Sequence, residues 1–210
     1  NMRKIIEEIN VYTYNELPKE AKGKVKEWYL TDDSKIQEFL DICNNDLENL
    51  FCGDLQVQFS LGYCQGDGVN IYGLVHAKDI IKCLDEHKGG ALFAEFENAL
   101  SDKEKRIIIH YEMLCEEIDL LENRRYDYSL SDRINIVDCW GCLLENSMYK
   151  NINYTVLEKF EELVRNIFTK LCRKYEEYGY SFFYAINDDE LSEICNCNGW
   201  EFYIDGGLYI

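Results

Sequence analysis

The segment LQVQFSLGYCQGDGVNIYGLV, residues 55–75, decides the fold class. Leu55, Val57, Phe59 and Leu61 alternate with Gln56, Gln58 and Ser60; Val69, Ile71, Gly73 and Val75 alternate with Asn70, Tyr72 and Leu74. A period of two puts one apolar face on each run, the mark of a half-buried strand. Asp67-Gly68 supplies a favoured turn pair between the runs, so the segment reads as an antiparallel hairpin.

Upstream of the hairpin the pattern is helical. Pro18 suits the first turn of a helix, and Ala21, Val25, Trp28 and Tyr29 carry it to about residue 30. Asp32, Asp33 and Ser34 are cap candidates for a second helix. Its stripe is Ile36, Phe39, Leu40, Cys43, Leu47, Leu50 and Phe51, and Gly53 ends it. Residues 4–14 run apolar or alternate, predicting a strand.

Downstream, a helix is predicted over 79–86, with Gly89-Gly90 as a break. Residues 91–99 and 101–122 carry helical spacing, although Ile107-Ile108-Ile109 suits a strand equally well. Residues 125–129 and 133–140 read as a second β pair. The strongest helix lies at 155–178, where Val156, Phe160, Leu163, Val164, Ile167, Phe168, Leu171, Cys172 and Tyr175 form one wide stripe. A short helix at 188–195 and a strand at 200–204 follow. The expectation is one α+β domain over residues 2–210, an antiparallel sheet packed against several helices, with 90–151 as a divergent insertion. Asn1 ahead of Met2 reads as a remnant preceding the initiator.

The 210 residues carry 22 Lys and Arg against 40 Asp and Glu, a net charge of −18. Such a surplus repels phosphate, which disfavours nucleic-acid surfaces and anionic membranes as direct partners. Hydrophobic residues at 47% and aromatics at 14% argue for a packed core. Two uses of the charge stay open: solubility by self-repulsion, or carboxylates presented to the basic groove of a partner. Ten cysteines with no secretory leader read as free thiols in a reducing cytosol. Cys43, Cys83, Cys115 and Cys172 fall on apolar helix faces. No apolar run approaches the length needed to cross a bilayer.

Three features are candidates for chemistry. The loop Gly62-Tyr63-Cys64-Gln65-Gly66-Asp67-Gly68 can be a plain turn or an anion-binding nest, in which case Tyr63, Gln65, Gly66, Asp67 and Gly68 make the contacts. It matches neither a Walker loop nor a dinucleotide fingerprint. Cys139-Trp140-Gly141-Cys142 has the gap of a metal or redox pair, and Cys195 with Cys197 could complete a four-sulfur site, against which stands the reading of ordinary buried thiols. Glu112, Glu116, Glu117, Asp119 and Glu122 gather acids at spacings of three and four if 101–122 is helical. That cluster reads either as a solvated helix face or as a ridge mimicking phosphates. His76, His87 and His110 lack ligand spacing, no nucleophile elbow or catalytic triad order occurs, and no cofactor is implied.

Tyr14-Asn15-Glu16-Leu17 with Ala21 and Trp28-Tyr29, the Phe59-to-Val69 hairpin, and the part from 178 to 206 with Glu201-Phe202 and Asp205-Gly206 resemble a family of small proteins of phages, prophages and bacterial mobile elements. Some members carry the label "antitoxin of toxin–antitoxin stability system". The resemblance covers about two thirds of the chain and is weakest at 90–151. It brings no activity, catalytic residue or cofactor with it. Charge and resemblance together predict an acidic, non-enzymatic, cytoplasmic binding protein. Its expected partner is a protein with a basic surface, either a toxin or a nucleic-acid-dependent defence complex such as a CRISPR effector. The alternative is a small-ligand or zinc protein using the glycine loop or the cysteine pairs.

Overall fold

The computed structural model describes residues 8–64, 66–112, 118–122 and 154–209. Among them the fold is α+β: six helices and one three-stranded antiparallel sheet. The helices are α1 (Lys19–Leu30), α2 (Asp33–Leu50), α3 (Ala77–Asp85), α4 (Asp102–Glu112), α5 (Tyr154–Tyr184) and α6 (Asp188–Asn198). The strands are β1 (Gly53–Ser60), β2 (Gly68–Val75) and β3 (Ile118–Leu120), in the order β1-β2-β3. The chain forms two compact units, one from Asn1–Phe39 with Ser181–Ile210 and the other from Leu40–Tyr180.

The larger unit holds the expected antiparallel hairpin, but Asp67-Gly68 is not its turn: Gly68 already pairs with Ser60 in β2, and Asp67 N donates back to the Cys64 carbonyl at 3.2 Å. Gly53 faces Val75, Val57 faces Ile71 and Ser60 faces Gly68. Leu55 and Val57 are buried while Gln56 between them is exposed, as alternation requires. Tyr72 donates its hydroxyl to Gln56 Oε1 across the strands at 2.9 Å. The α5 stripe in this unit is buried from Val156 to Tyr175, with Phe168 against Phe51 at 5.3 Å between centroids. Cys172 is buried against the Ile71 backbone, and that burial pushes its thiol up to about 12.

The smaller unit packs Tyr14, Leu17, Ala21, Val25, Leu191, Cys195 and Phe202 into its own core, flanked by Trp28, Tyr29 and Trp200. Trp28 and Trp200 meet edge to face at 5.0 Å, a favoured aromatic geometry. Lys26 Nζ donates to the Ile186 carbonyl at 2.7 Å, just past the end of α5, where a cation suits the helix dipole.

Four further expectations from the sequence need correction. In place of a strand over 4–14, the described residues make one bridge, Tyr12 to Phe202, followed by a 3₁₀ turn at Tyr14–Glu16. Tyr14 is buried as a core anchor rather than as a member of a ladder. The strand at 200–204 likewise shrinks to bridges of Phe202 with Tyr12 and Leu208. Residues 91–99 are not α-helical: Phe93, Phe96 and Ala99 each donate to the carbonyl three residues back. That 3₁₀-like repeat buries Phe93 and Phe96 at their spacing of three. Residues 101–122 are not one helix, because α4 stops at Glu112 and β3 follows, Ile118 and Leu120 turning inward beside β2. The predicted β pair over 125–140 lies outside the described residues.

Candidate functional site

The glycine loop closes the β1–β2 hairpin around a single carboxylate. Asp67 is buried, and its Oδ2 accepts from the backbone amides of Gly62 at 2.5 Å and Cys64 at 2.7 Å. Its Oδ1 accepts from Ser60 Oγ at 2.8 Å. Two of the amides a nest would offer an anion therefore already hold one, covalently supplied by the chain. Gly66 takes φ +87° and Gly68 φ +142°, conformations that glycine reaches without a Cβ penalty. Tyr63 points the other way. It is 70% exposed, sits at φ +55°, and stacks on Tyr180 at 4.6 Å. Gln65 lies outside the described residues.

The cysteines separate into two environments. Cys43, Cys83, Cys172 and Cys195 are buried, while Cys52, Cys64 and Cys197 are exposed. Burial pushes Cys195 up to about 11, the direction of an unreactive thiol. Cys195 and Cys197 stand two residues apart on α6, one buried and one exposed. Cys115, Cys139 and Cys142 lie outside the described residues, and among the described ones no group of three or more metal-ligating side chains converges.

The acids expected on one helix occupy different elements. Glu112 ends α4, Asp119 stands on β3 opposite Leu74, and Glu122 accepts from Gln58 Nε2 at 3.1 Å. Glu116 and Glu117 lie outside the described residues. Helical spacing therefore does not join Glu112 to Asp119.

A different acidic feature occupies the smaller unit. No Lys, Arg or His occurs from residue 175 to 210. Asp188, Asp189, Glu190, Glu193, Glu201 and Asp205 are all exposed in that stretch. Part of this has a local cause. Asn187 and Glu190 form a capping box at 2.9 and 3.1 Å, and acids in the first turn of α6 complement its dipole. Asp188 accepts from the Tyr14 hydroxyl at 3.3 Å; burial and then this carboxylate push the phenol up to about 12. Asp205 accepts from Gly207 N at 3.0 Å inside the turn. Glu193 and Glu201 have no such role among the described residues.

Three lysines of the same unit are engaged elsewhere, while Lys19 and Lys24 stand exposed on α1. Lys22 lies over the Tyr14 ring at 5.2 Å, Lys26 serves a carbonyl, and Lys35 lies among aromatic rings. In the larger unit, by contrast, carboxylates pair: Lys105 with Asp85, Lys159 with Glu104, Lys170 with Glu95 and Lys174 with Asp46. The sequence signal for the difference was the run without a basic residue, which a search for helical spacing passes over. Among the described residues no helix is long and apolar enough to cross a membrane. No family model, curated protein or solved structure matches this chain.

Proposed function

We propose that the protein is a non-enzymatic, acidic, cytoplasmic binding protein of mobile-element origin that docks on a protein with a basic surface. A toxin or a nucleic-acid-dependent defence complex, such as a CRISPR effector, fits that description, with carboxylates standing in for phosphates. The observation that carries it is the run of exposed carboxylates from Asp188 to Asp205, which has no cation of its own and makes no ion pair among the described residues. Unpaired surface charges of one sign steer encounter with the opposite sign. The hairpin resemblance to phage and prophage proteins supports the setting.

The test is affinity measurement against the basic partner captured by the purified chain, with salt varied. Affinity is expected to fall steeply between low and physiological ionic strength. Asp189→Asn, Glu193→Gln and Glu201→Gln together should weaken it by about tenfold or more, as loss of several steering charges does. Glu158→Gln, Glu162→Gln and Glu177→Gln in the larger unit change net charge equally and should leave it within about threefold, as removal of rim charges outside the interface does. Equal effects of the two triple variants, or affinity indifferent to salt, would overturn the proposal.

A further inference from the structure

The smaller unit contains a cleft of about 650 Å³ that borders the acidic run at Glu190 and Glu193. Lys35, in the first turn of α2, lines it while only 7% exposed. The ammonium lies 4.2 Å from the Tyr29 ring centroid, 5.3 Å from that of Phe182 and 5.9 Å from that of Phe183. Among the described residues it has no hydrogen-bond acceptor and no carboxylate at ion-pair distance. Three physical terms oppose a cation there. Burial strips part of its water, the amino end of a helix is positive, and no counter-ion repays the desolvation. The rings return only part of that loss. Burial accordingly holds the Lys35 ammonium below the usual lysine range, Glu38 partly opposing it.

The rest of the lining has the opposite character. Phe182, Ile186 and Ile194 make an apolar wall, and Glu38 and Glu193 stand exposed at its rim. One buried unmatched cation, a hydrocarbon wall and rim carboxylates together describe the complement of a small molecule. That molecule carries one carboxylate, one ammonium and an apolar body. A polyanion meets the rim glutamates and is repelled. The volume lies within the range of small-ligand sites and admits one amino acid or a dipeptide.

We propose that this cleft binds an apolar zwitterion, a free amino acid or dipeptide with a hydrocarbon or aromatic side chain. Its carboxylate meets Lys35 Nζ, its ammonium faces Glu38 and Glu193, and its side chain lies on Phe182, Ile186 and Ile194. The site lies wholly within one unit and needs no macromolecular partner; Glu193 belongs to both proposals, and the small-molecule probes with Lys35→Met separate this one from the docking proposal.

Calorimetric titration of the full chain tests it with five probes: phenylalanine, leucyl-phenylalanine, 3-phenylpropanoate, phenethylamine and inorganic phosphate. The zwitterions are expected to bind. 3-Phenylpropanoate and phenethylamine, each lacking one charge, should bind about tenfold more weakly or less, the scale of one charge-assisted contact. Phosphate should not bind. Lys35→Met keeps the apolar stem, removes an unmatched buried charge and should fold with unchanged circular dichroism while weakening the zwitterions about tenfold or more. Glu193→Gln, at the exposed rim, should weaken phenylalanine but not 3-phenylpropanoate, and it reads the site even if Lys35→Met is unfolded. Failure of both zwitterions to bind at millimolar concentration would overturn the proposal. So would tighter binding of phosphate, or zwitterion affinity unchanged in both variants.

Discussion

Asp67 shows how one side chain can serve a loop that resembles a ligand site. Its carboxylate gathers the Gly62 and Cys64 amides and the Ser60 hydroxyl, so the hairpin end is held by charge-assisted bonds across the loop rather than by a tight two-residue turn. Removing a buried acceptor leaves each donor without its partner, which costs more than the bond itself contributed. Asp67→Ala is therefore expected to lower unfolding free energy by about 3 kcal/mol in a urea titration. Asp67→Asn keeps the oxygen and the shape and should lose less. A loss within about 0.5 kcal/mol for the alanine variant, the scale of an ordinary surface change, would remove Asp67 as the loop's anchor. Lys35 is the reverse case at this scale, a buried charge held by rings with no protein counter-ion, and for that reason it marks a cleft where Asp67 marks a closed turn.

At the scale of elements, the sheet has its tightest backbone approach at a glycine. Gly73 sits centrally, facing Leu55 on β1 and Leu120 on β3, at φ +116°. A Cβ there would lie 2.0 Å from the Asp54 carbonyl oxygen, so strand backbone would have to move. Gly73→Ala should lower unfolding free energy by about 3 kcal/mol or more, the combined scale of left-handed strain and a backbone clash, read from the same denaturant curves.

The start of α4 carries a pH dependence instead. Glu104 accepts from Ser101 N and Oγ, both at 2.7 Å, and from Lys159 Nζ at 2.7 Å. The lysine, then Ser101, holds its carboxyl down at about 2 against an ordinary 4.5. A carboxyl lowered in the folded state stabilises fully above the ordinary value, and the contribution is lost as pH falls toward the folded one. The melting temperature of Glu104→Gln should thus lie below that of the parent at pH 7, and the gap should close between about pH 4.5 and 2. A gap independent of pH would assign the effect to packing.

Legibility followed the range of the contacts. The hairpin and the long helix could be read because their signals are local: alternation through Val57 and Ile71, and the stripe from Val156 to Tyr175. β3 escaped because three residues carry too little alternation to outweigh the helical spacing before them, and its partner is β2, far back in the chain. Tyr12 and Phe202 pair across nearly the whole sequence, and nothing near either residue announces it. The Lys35 cleft was hidden for the same reason, since its rings come from α1 and the end of α5. The acidic run was legible in composition, in the absence of any basic residue after Lys174.

For the whole molecule, the question is where the 18 surplus negative charges act. A compact acidic chain repels itself, and that repulsion is relieved either by neutralising carboxylates or by salt. The two relief routes should differ between the units. In the larger one several carboxylates already face lysines or arginines within 4.0 Å. In the smaller one the exposed acids from Asp188 to Asp205 make no ion pair among the described residues. Neutralising Asp189, Glu193 and Glu201 removes repulsion with no attraction given up, apart from the small dipole term of Asp189. The triple amide variant is therefore expected to melt higher than the parent in low-salt buffer, by about 2–4 °C for roughly 1 kcal/mol in a chain of this length. Added salt should raise the parent more than the variant until the two converge. Parent and variant melting together at every ionic strength would mean that these carboxylates are too far apart to repel. A surface that dispersed would steer a basic partner only weakly. A persistent gap at high salt would instead trace the gain to helix propensity. Only the converging outcome describes a concentrated field that stability alone does not favour, and a partner of opposite charge is the simplest reason for a chain to carry one.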